Sequence, residues 1–310
     1  MQDSGSGPAL RAERHGKRYG QVWGLRDCTF AVPAGSIVGL VGPNGAGKTT
    51  LLAMTVGLLA PTEGSVAVLG SPSQAQTPDT LARVSYLAQD HPLYRGFTVA
   101  EMFRFGRSLN PSWDQALAES RMDTLGIPLT RKVKALSGGQ QAQVALTLAL
   151  ARRPKLLVLD EPVAMLDPVA RHDFMAMVLT AAAADGVSVV LSSHVLTELE
   201  RVADYLILMS RGRVQVAGEV DDLLACHRML TGPAAEADRY TERPVVQASR
   251  AAAQAHLLVR ATADDPVPAG WEVHQVGLEE LVLAYLRQPG AGALPGPARS
   301  RSSQPSEVTG

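Results

Sequence analysis

The sequence predicts an α/β fold organised around a buried parallel sheet, and three stretches carry that prediction. The first is Gly42, Pro43, Asn44, Gly45, Ala46, Gly47, Lys48, Thr49 and Thr50, with the spacing Gly, four residues, Gly-Lys-Thr of a phosphate-binding loop. The second is the continuous apolar run 156–159, ending in Asp160 and Glu161, as expected of a strand covered on both faces. The third is the mainly apolar strand 186–193, followed by His194. It places a histidine at the same sheet edge as the two acids.

The loop has a physical rationale. Its glycines let the backbone turn tightly, so that successive N–H groups converge on one concavity that suits phosphate oxygens. Lys48 adds positive charge, and the Thr49 hydroxyl is placed for Mg²⁺. The apolar run 37–41 before the loop predicts a buried strand. Residues 49–54 after it predict a helix start, whose N-terminus favours anions. Asp160 offers an oxygen ligand to Mg²⁺, and Glu161 is placed to polarise a water for attack on a γ-phosphate. His194 at that edge suggests a γ-phosphate contact.

Composition narrows the class. The chain has 310 residues, 46% apolar and 19% charged, enough for one large domain with a smaller one beside it. A net charge of −1 gives no strong field pointing to nucleic acid. Cys28 and Cys226 have no CxxC spacing, so neither a disulfide framework nor a zinc site is expected, which fits a reducing compartment. No leader peptide is expected at the N-terminus. The longest weakly polar stretches, 51–60 and 174–184, fall short of the roughly 20 residues that span a bilayer, so a soluble chain is expected.

Along the chain, residues 1–8 are expected to be disordered. Residues 10–32 predict two antiparallel strands. Tyr19 between them is either a face for a base to stack on or a packed strand residue. Residues 61–64 form a turn, 65–70 a strand and 84–89 another strand. The last ends in Gln89, either a Mg²⁺ ligand or a solvated strand end. From 90 to 136 the pattern turns helical, outside the sheet. Thr98 and Glu101 form a capping box for a helix running to about Leu109, and a second helix spans 113–125. Tyr94, Phe97, Phe103, Phe105 and Trp113 here form either a docking surface or a local core. Ser137, Gly138, Gly139 and Gln140 open a helical run 141–152. They combine a hydroxyl, free N–H groups and a helix dipole, or else simply cap that helix. Pro168 opens the next helix. Residues 205–210 and 214–217 form a hairpin around Arg211-Gly212, and a helix starts near Glu219. Residues 226–288 carry no phosphate motif. Strands at 254–260 and 271–275 and a helix at 277–287 make them a small α+β appendage. Residues 289–310 are expected to be disordered.

Taken together, GPNGAGKTT, LSGGQ, LLVLDEP, Leu166-Asp167 and Ser193-His194 occur in an order and spacing that resemble the ATPase subunit of ATP-binding cassette (ABC) transporters over about residues 9–225. The resemblance implies a P-loop NTPase with a RecA-like core, an antiparallel β subdomain and a helical subdomain near 90–136. It implies that Tyr19 stacks on adenine, that residues 42–50 bind the phosphates of ATP, and that Thr49 and Gln89 bind Mg²⁺ with Asp160 nearby. It further implies that Glu161 is the catalytic base and His194 the γ-phosphate contact. Residues 137–140 would reach the ATP of the opposite subunit, and Asp167 would belong to the intersubunit loop. A homodimer, or a heterodimer with a related subunit, would then sandwich two ATPs and drive a separate membrane permease docked near residues 89–107. That puts the chain in the cytoplasm, peripheral on the inner face of the cell membrane, with no nucleic-acid partner. Residues 112–114 and the helix ending in LAYLR are similar to stand-alone, ABC-2-like subunits of exporters. The alternative is a soluble ABC ATPase acting on nucleic acid or ribosomes. Two departures from the pattern are Gln141 after LSGGQ and Val163-Ala164-Met165 before Leu166-Asp167.

Overall fold

The structure, a computed structural model, describes residues 7–73, 77–164, 166–242, 244–262, 265–267 and 269–293. The disorder expected of residues 1–6 and 294–310, and the departure at Met165, lie outside them. The chain divides into two units, Met1–Val220 and Asp221–Gly310.

The first unit opens with β1 (Leu10–Tyr19) and β2 (Val22–Val32). They form a hairpin in which Tyr19 pairs with Val22 across Gly20, at φ 58°. Then follow β3 (Ile37–Val41), α1 (Lys48–Thr55), β4 (Glu63–Val68), β5 (Ser71–Pro72), α2 (Pro78–Ala82) and β6 (Val84–Leu87). The helices α3 (Val99–Leu109), α4 (Gln115–Thr124) and α5 (Gly138–Leu150) come next. The unit finishes with β7 (Leu156–Asp160), α6 (Pro168–Asp185), β8 (Ser188–Ser193), α7 (Leu196–Leu199), β9 (Tyr205–Ser210) and β10 (Arg213–Glu219).

Two sheets result. One is antiparallel, in the order β2-β1-β4-β5. The other has the order β10-β9-β3-β8-β7-β6, parallel throughout except for β10 at its edge. Every residue of β3, β7, β8 and β9 is buried, the physical counterpart of the apolar runs in β3, β7 and β9 and of the Val-Val-Leu centre of β8. One core joins both sheets through α1, with Leu25, Cys28 and Phe30 from β2, Leu51, Leu52 and Met54 from α1, and Leu40, Val158 and Ile207 from the parallel strands. The carboxyl ends of β3, β6, β7 and β8 therefore converge on the crevice where α/β sheets bind ligands.

The helical insertion has its own core of Val99, Phe103, Met122, Ile127 and Val144. The capping box on α3 is present. Thr98 N–H donates to Glu101 Oε2 at 2.7 Å, and Glu101 N–H donates to Thr98 Oγ1 at 3.2 Å. The aromatics divide between the two roles the sequence allows. Phe103 is buried against Trp113, with centroids 6.0 Å apart. Tyr94, Phe97 and Phe105 cluster on the surface.

The strand expected at 65–70 is displaced to Glu63–Val68, because Leu69 and Gly70 adopt φ of 49° and 81° and turn the chain into β5. The strand expected to reach Gln89 stops at Leu87.

The second unit opens within α8 (Val220–Ala225) and goes on to β11 (His227–Pro233), β12 (Val245–Ala251), β13 (Gln254–Arg260), β14 (Glu272–His274) and α9 (Leu278–Arg287). Its antiparallel sheet has the order β12-β13-β11-β14. Two strands were not expected here. β11 contains a Gly and a Pro, and the second half of β12 is exposed, so neither shows clean alternation. Inside the unit, Tyr285 is fully buried. Its hydroxyl accepts from Arg260 Nε at 2.6 Å and donates to His227 Nε2 at 2.8 Å, while His227 Nδ1 donates to Leu223 O at 2.6 Å. Burial holds the His227 pKa below its usual value, so this network is neutral at the histidine. Disorder from Pro289 onward is overturned for the described part. Pro289–Ala293 form a 3-10 helix with Ala291 buried, because Arg260 and α9 give it a surface to pack on.

Candidate active site

The glycine loop is shaped by contacts that leave no room for side chains. A Cβ at Gly42 would lie 2.5 Å from the Met209 carbonyl oxygen. Gly47 has φ 101°, and a Cβ there would lie 2.5 Å from Leu25 Cδ2. The Ala46 carbonyl accepts from Gly212 N–H at 3.1 Å, which pins the loop to the turn before β10. No side chain caps α1 at Gly47, so the helix N-terminus and its dipole are left to an anion. Lys48 is buried. Its Nζ donates to Gly42 O at 2.8 Å and pairs with Glu161 Oε1 at 3.2 Å.

The acids at the end of β7 do different work. Asp160 is buried, and its Oδ1 accepts from Ser192 Oγ at 2.8 Å. The same Ser192 Oγ accepts the Glu161 N–H at 2.8 Å. Glu161 has φ 44°, a left-handed conformation costing a non-glycine residue about 1–2 kcal/mol. With that geometry its carboxylate forks, Oε1 toward Lys48 and Oε2 to 3.2 Å from His194 Nδ1. The end of β8 thus meets the ends of β7 and β3 in one ion-paired cluster.

A cavity of about 470 Å³ lies alongside, lined by Thr49, Tyr86, Ala88, Gln89, Asp90 and Asp160. The three residues expected to hold Mg²⁺ share this cavity. Their hydroxyl, amide and carboxylate oxygens form the hard donor set that Mg²⁺ takes, leaving positions for phosphate and water. Tyr86 OH stands 3.5 Å from Asp160 Oδ2. Burial, and then the Asp160 charge, push its pKa up to about 12, so it stays a neutral phenol. Tyr86 and Ser192 were not singled out in the sequence. A polar side chain near the carboxyl end of a buried strand was the available signal for both.

Tyr19 is half exposed and lies over Gly24, where a Cβ would sit 2.9 Å from the ring. The Gly24 carbonyl in turn lies 2.9 Å from a Cβ built on Gly47. The aromatic face therefore stands one residue away from the phosphate loop, supported by Lys17 at 5.7 Å from its centroid.

Residues 137–140 and Asp167 are not part of this cluster. Ser137 caps α5 by a closed capping box, accepting from Gln140 N–H at 3.2 Å while Gln140 Oε1 accepts Ser137 N–H at 3.1 Å. Gln141 Nε2 donates to Leu136 O at 3.0 Å, a purely local bond. Asp167 caps α6 through Val169 and Ala170 N–H, both at 3.0 Å. The two segments do approach each other, since a Cβ on Gly139 would come within 2.9 Å of Ala170 Cβ. Among the described residues, none of the bonds joining Lys48, Glu161 and His194 involves residues 137–140.

Comparison with known proteins gives the family. Residues 25–164 match the family described as ABC transporter. The chain is 34% identical over 239 residues to the Nod factor export ATP-binding protein I of Sinorhizobium fredii, covering 72% of this chain and 67% of that one. It is 36% identical over 217 residues to the Fe(3+) ions import ATP-binding protein FbpC of Pseudomonas fluorescens, covering 68% and 61%. A solved ATP-binding subunit of an ABC transporter superposes with a TM-score of 0.63 at 28% identity, over 69% of this chain and 91% of that one. The chain belongs to the ABC transporter ATP-binding subunits, a family of ATPases coupled to transport. Among the described residues no helix is long and apolar enough to cross a membrane.

Proposed function

We propose that this chain binds ATP with Mg²⁺ and hydrolyses it in a dimer that drives a separate membrane permease. The observation that carries the reading is the Glu161 carboxylate, held between Lys48 and His194 at the mouth of the glycine loop. Residues 42–50 cradle the phosphates with backbone N–H groups, and Lys48 turns its charge to them. Tyr19 stacks on the adenine. Thr49 and Gln89, with Asp160 nearby, would hold Mg²⁺, which neutralises phosphate charge. Ser192 positions both Asp160 and the Glu161 main chain. Glu161 accepts the proton of the attacking water, and His194 contacts the γ-phosphate.

Residues 137–140 stand apart from this cluster and are exposed or half-exposed. That supports their acting in trans, on the ATP of a second subunit, with Asp167 in the loop between subunits. A homodimer is the simplest assembly, with two sites each built from both chains. The permease docks on the helical region. There an apolar groove of about 230 Å³ is lined by Leu87, Leu93, Met102, Phe105 and Leu148, beside the exposed Tyr94 and Phe97. Docking holds the chain on the inner face of the cell membrane. The relatives include one named for export and one for import; the separate second unit, with its LAYLR helix, supports export.

Mixing two inactive chains tests the composite site. Lys48→Ala and Ser137→Ala are each expected to abolish turnover. Mixed in equal amounts they should recover about a quarter of it, because half the dimers are mixed and one of their two sites is intact. No recovery on mixing overturns the action in trans.

A further inference from the structure

The loop that carries Asp167 and the strand end that carries His194 are joined by one side chain. Arg171 lies in the first turn of α6, where its N–H donates to Asp167 O at 2.9 Å. Its Nη2 donates to Leu166 O at 3.3 Å. Its Nη1 lies 2.9 Å from Glu198 Oε1 on α7, the short helix that begins two residues after His194. The pair is mostly shielded, with 30% and 16% of the two side chains exposed. It is an ion pair without good hydrogen-bond alignment, so Arg171 Nε and Glu198 Oε1 make no hydrogen bond.

These contacts close a ring around the hydrolytic acid. After Glu161, Ala164 N–H donates to Glu161 O at 3.3 Å and Leu166 N–H donates to Val163 O at 3.2 Å. Arg171 then bridges from Leu166 to Glu198. From α7 the chain returns through Val195, whose N–H is held by Ser193 Oγ at 2.9 Å, to His194. His194 Nδ1 meets Glu161 Oε2 at 3.2 Å and completes the circuit.

We propose that Arg171 is a positioning residue for hydrolysis, gripping Leu166 and Glu198 together so that the Asp167 loop and His194 keep a fixed spacing about Glu161. This rests on the reading of Glu161 and His194 given above. The planar guanidinium suits the task because its two terminal nitrogens point along two fixed directions, which an ammonium group cannot reproduce. Neither contact is strong by itself, and partly exposed pairs add little to stability. The effect therefore falls on geometry, and hence on turnover. Movement of the Asp167 loop at a subunit interface is transmitted to His194 through this side chain.

The test uses the full chain and its Arg171→Ala, Arg171→Lys, Glu198→Gln and Arg171→Ala/Glu198→Gln variants. It measures kcat and KM for ATP together with the melting temperature. Arg171→Ala should lower kcat by about tenfold, since misplacement of this kind costs between ten- and a hundredfold. KM should stay within about twofold and melting should be unchanged, because the phosphate loop is untouched. Arg171→Lys should recover part of the loss by keeping the ion pair. The double variant should be no slower than the worse single one, as expected of residues acting as one unit. Unchanged kcat, a loss that tracks KM or melting, or losses that multiply in the double variant would each overturn the proposal. Should Arg171→Ala fail to fold, Glu198→Gln and Arg171→Lys carry the same comparison. An unsubstituted chain that hydrolyses no ATP refutes the site reading itself. A hydrolysing chain indifferent to these substitutions refutes only the role of Arg171.

Discussion

Two glycine-bearing helix N-termini dominate this molecule, and they are built on opposite principles. The one at α1 is made by tertiary contact. Gly42 is pressed against Met209 O, Gly47 against Leu25, and no side chain caps the helix. The one at α5 is made locally. Ser137 and Gln140 satisfy each other's backbone N–H groups, and a Cβ on Gly138 would meet nothing within 4 Å. The first is a preformed cradle that leaves its donors to a ligand. The second is a finished helix cap, open at Gly138 though close to Ala170 at Gly139, which on the proposed reading meets its ligand only when another chain brings it. On the proposed function, phosphate binding and subunit contact would occupy separate, differently stabilised parts of one unit.

The widest gap between the two should open with Glu161→Gln. It removes the proposed proton acceptor at the first site and should lower turnover by about 10²–10⁴-fold, the usual span for a general base. An ATP-bound dimer should persist in gel filtration; normal turnover would take Glu161 out of its role. Lys48→Ala comes next. It deletes a charged hydrogen-bond donor worth about 1.5–3 kcal/mol, so ATP affinity in equilibrium binding should fall by about ten- to a hundredfold. The same measurement on Ser137→Ala should show unchanged affinity, with only about 1 kcal/mol lost in denaturant unfolding from the missing cap. Equal loss of affinity in both variants would erase the distinction drawn here. Tyr19→Ala should weaken ATP binding by a few-fold and Tyr19→Phe hardly at all, since the ring face is what stacks.

A pH effect should also separate the two termini. His15 sits in β1 opposite Cys28, and Cys28 Sγ touches the Gly212 carbonyl of the turn that pins the glycine loop. His15 is fully buried, neither ring nitrogen has a hydrogen-bond partner, and burial lowers its pKa from 6.5 to about 4. The unfolded chain takes up the proton first as pH falls below 6.5, so the folded state loses stability from there down to about 4. His15→Leu should flatten that decline in denaturant midpoints. A variant as acid-sensitive as the parent would show that His15 is not the cause.

Much of the fold was legible in the sequence because its signals are local. Apolar runs mark β3, β7 and β9, and a shorter one the centre of β8, as buried strands. The Thr98 and Glu101 pair, three residues apart, marks the start of α3. In the second unit the signals fade. β11 and β12 carry polar, glycine and proline residues and are held by pairing with β13 rather than by their own pattern. The aromatic question at 94–113 could not be decided by residue type, because Phe103 and Phe105 lie two apart on one helix and only its packing against α4 and α5 buries the first. Tyr86 and Ser192 escaped notice because a polar side chain in a strand, with Ser85 beside the one and Ser193 beside the other, has no signature until its partner across the sheet is known.

By itself the sequence determined the glycine loop, the acids at the end of β7, the histidine after β8 and the helix start at Ser137. Each depends on backbone freedom, capping or apolar patterning within a few residues. Only the tertiary structure decided that Glu161 takes a left-handed conformation and forks between Lys48 and His194. It alone placed Thr49, Gln89 and Asp160 in one cavity and left residues 137–140 outside it. Those facts depend on which strands lie side by side, and that order follows from burying apolar strands against α1 and one another rather than from any neighbouring residues in the chain.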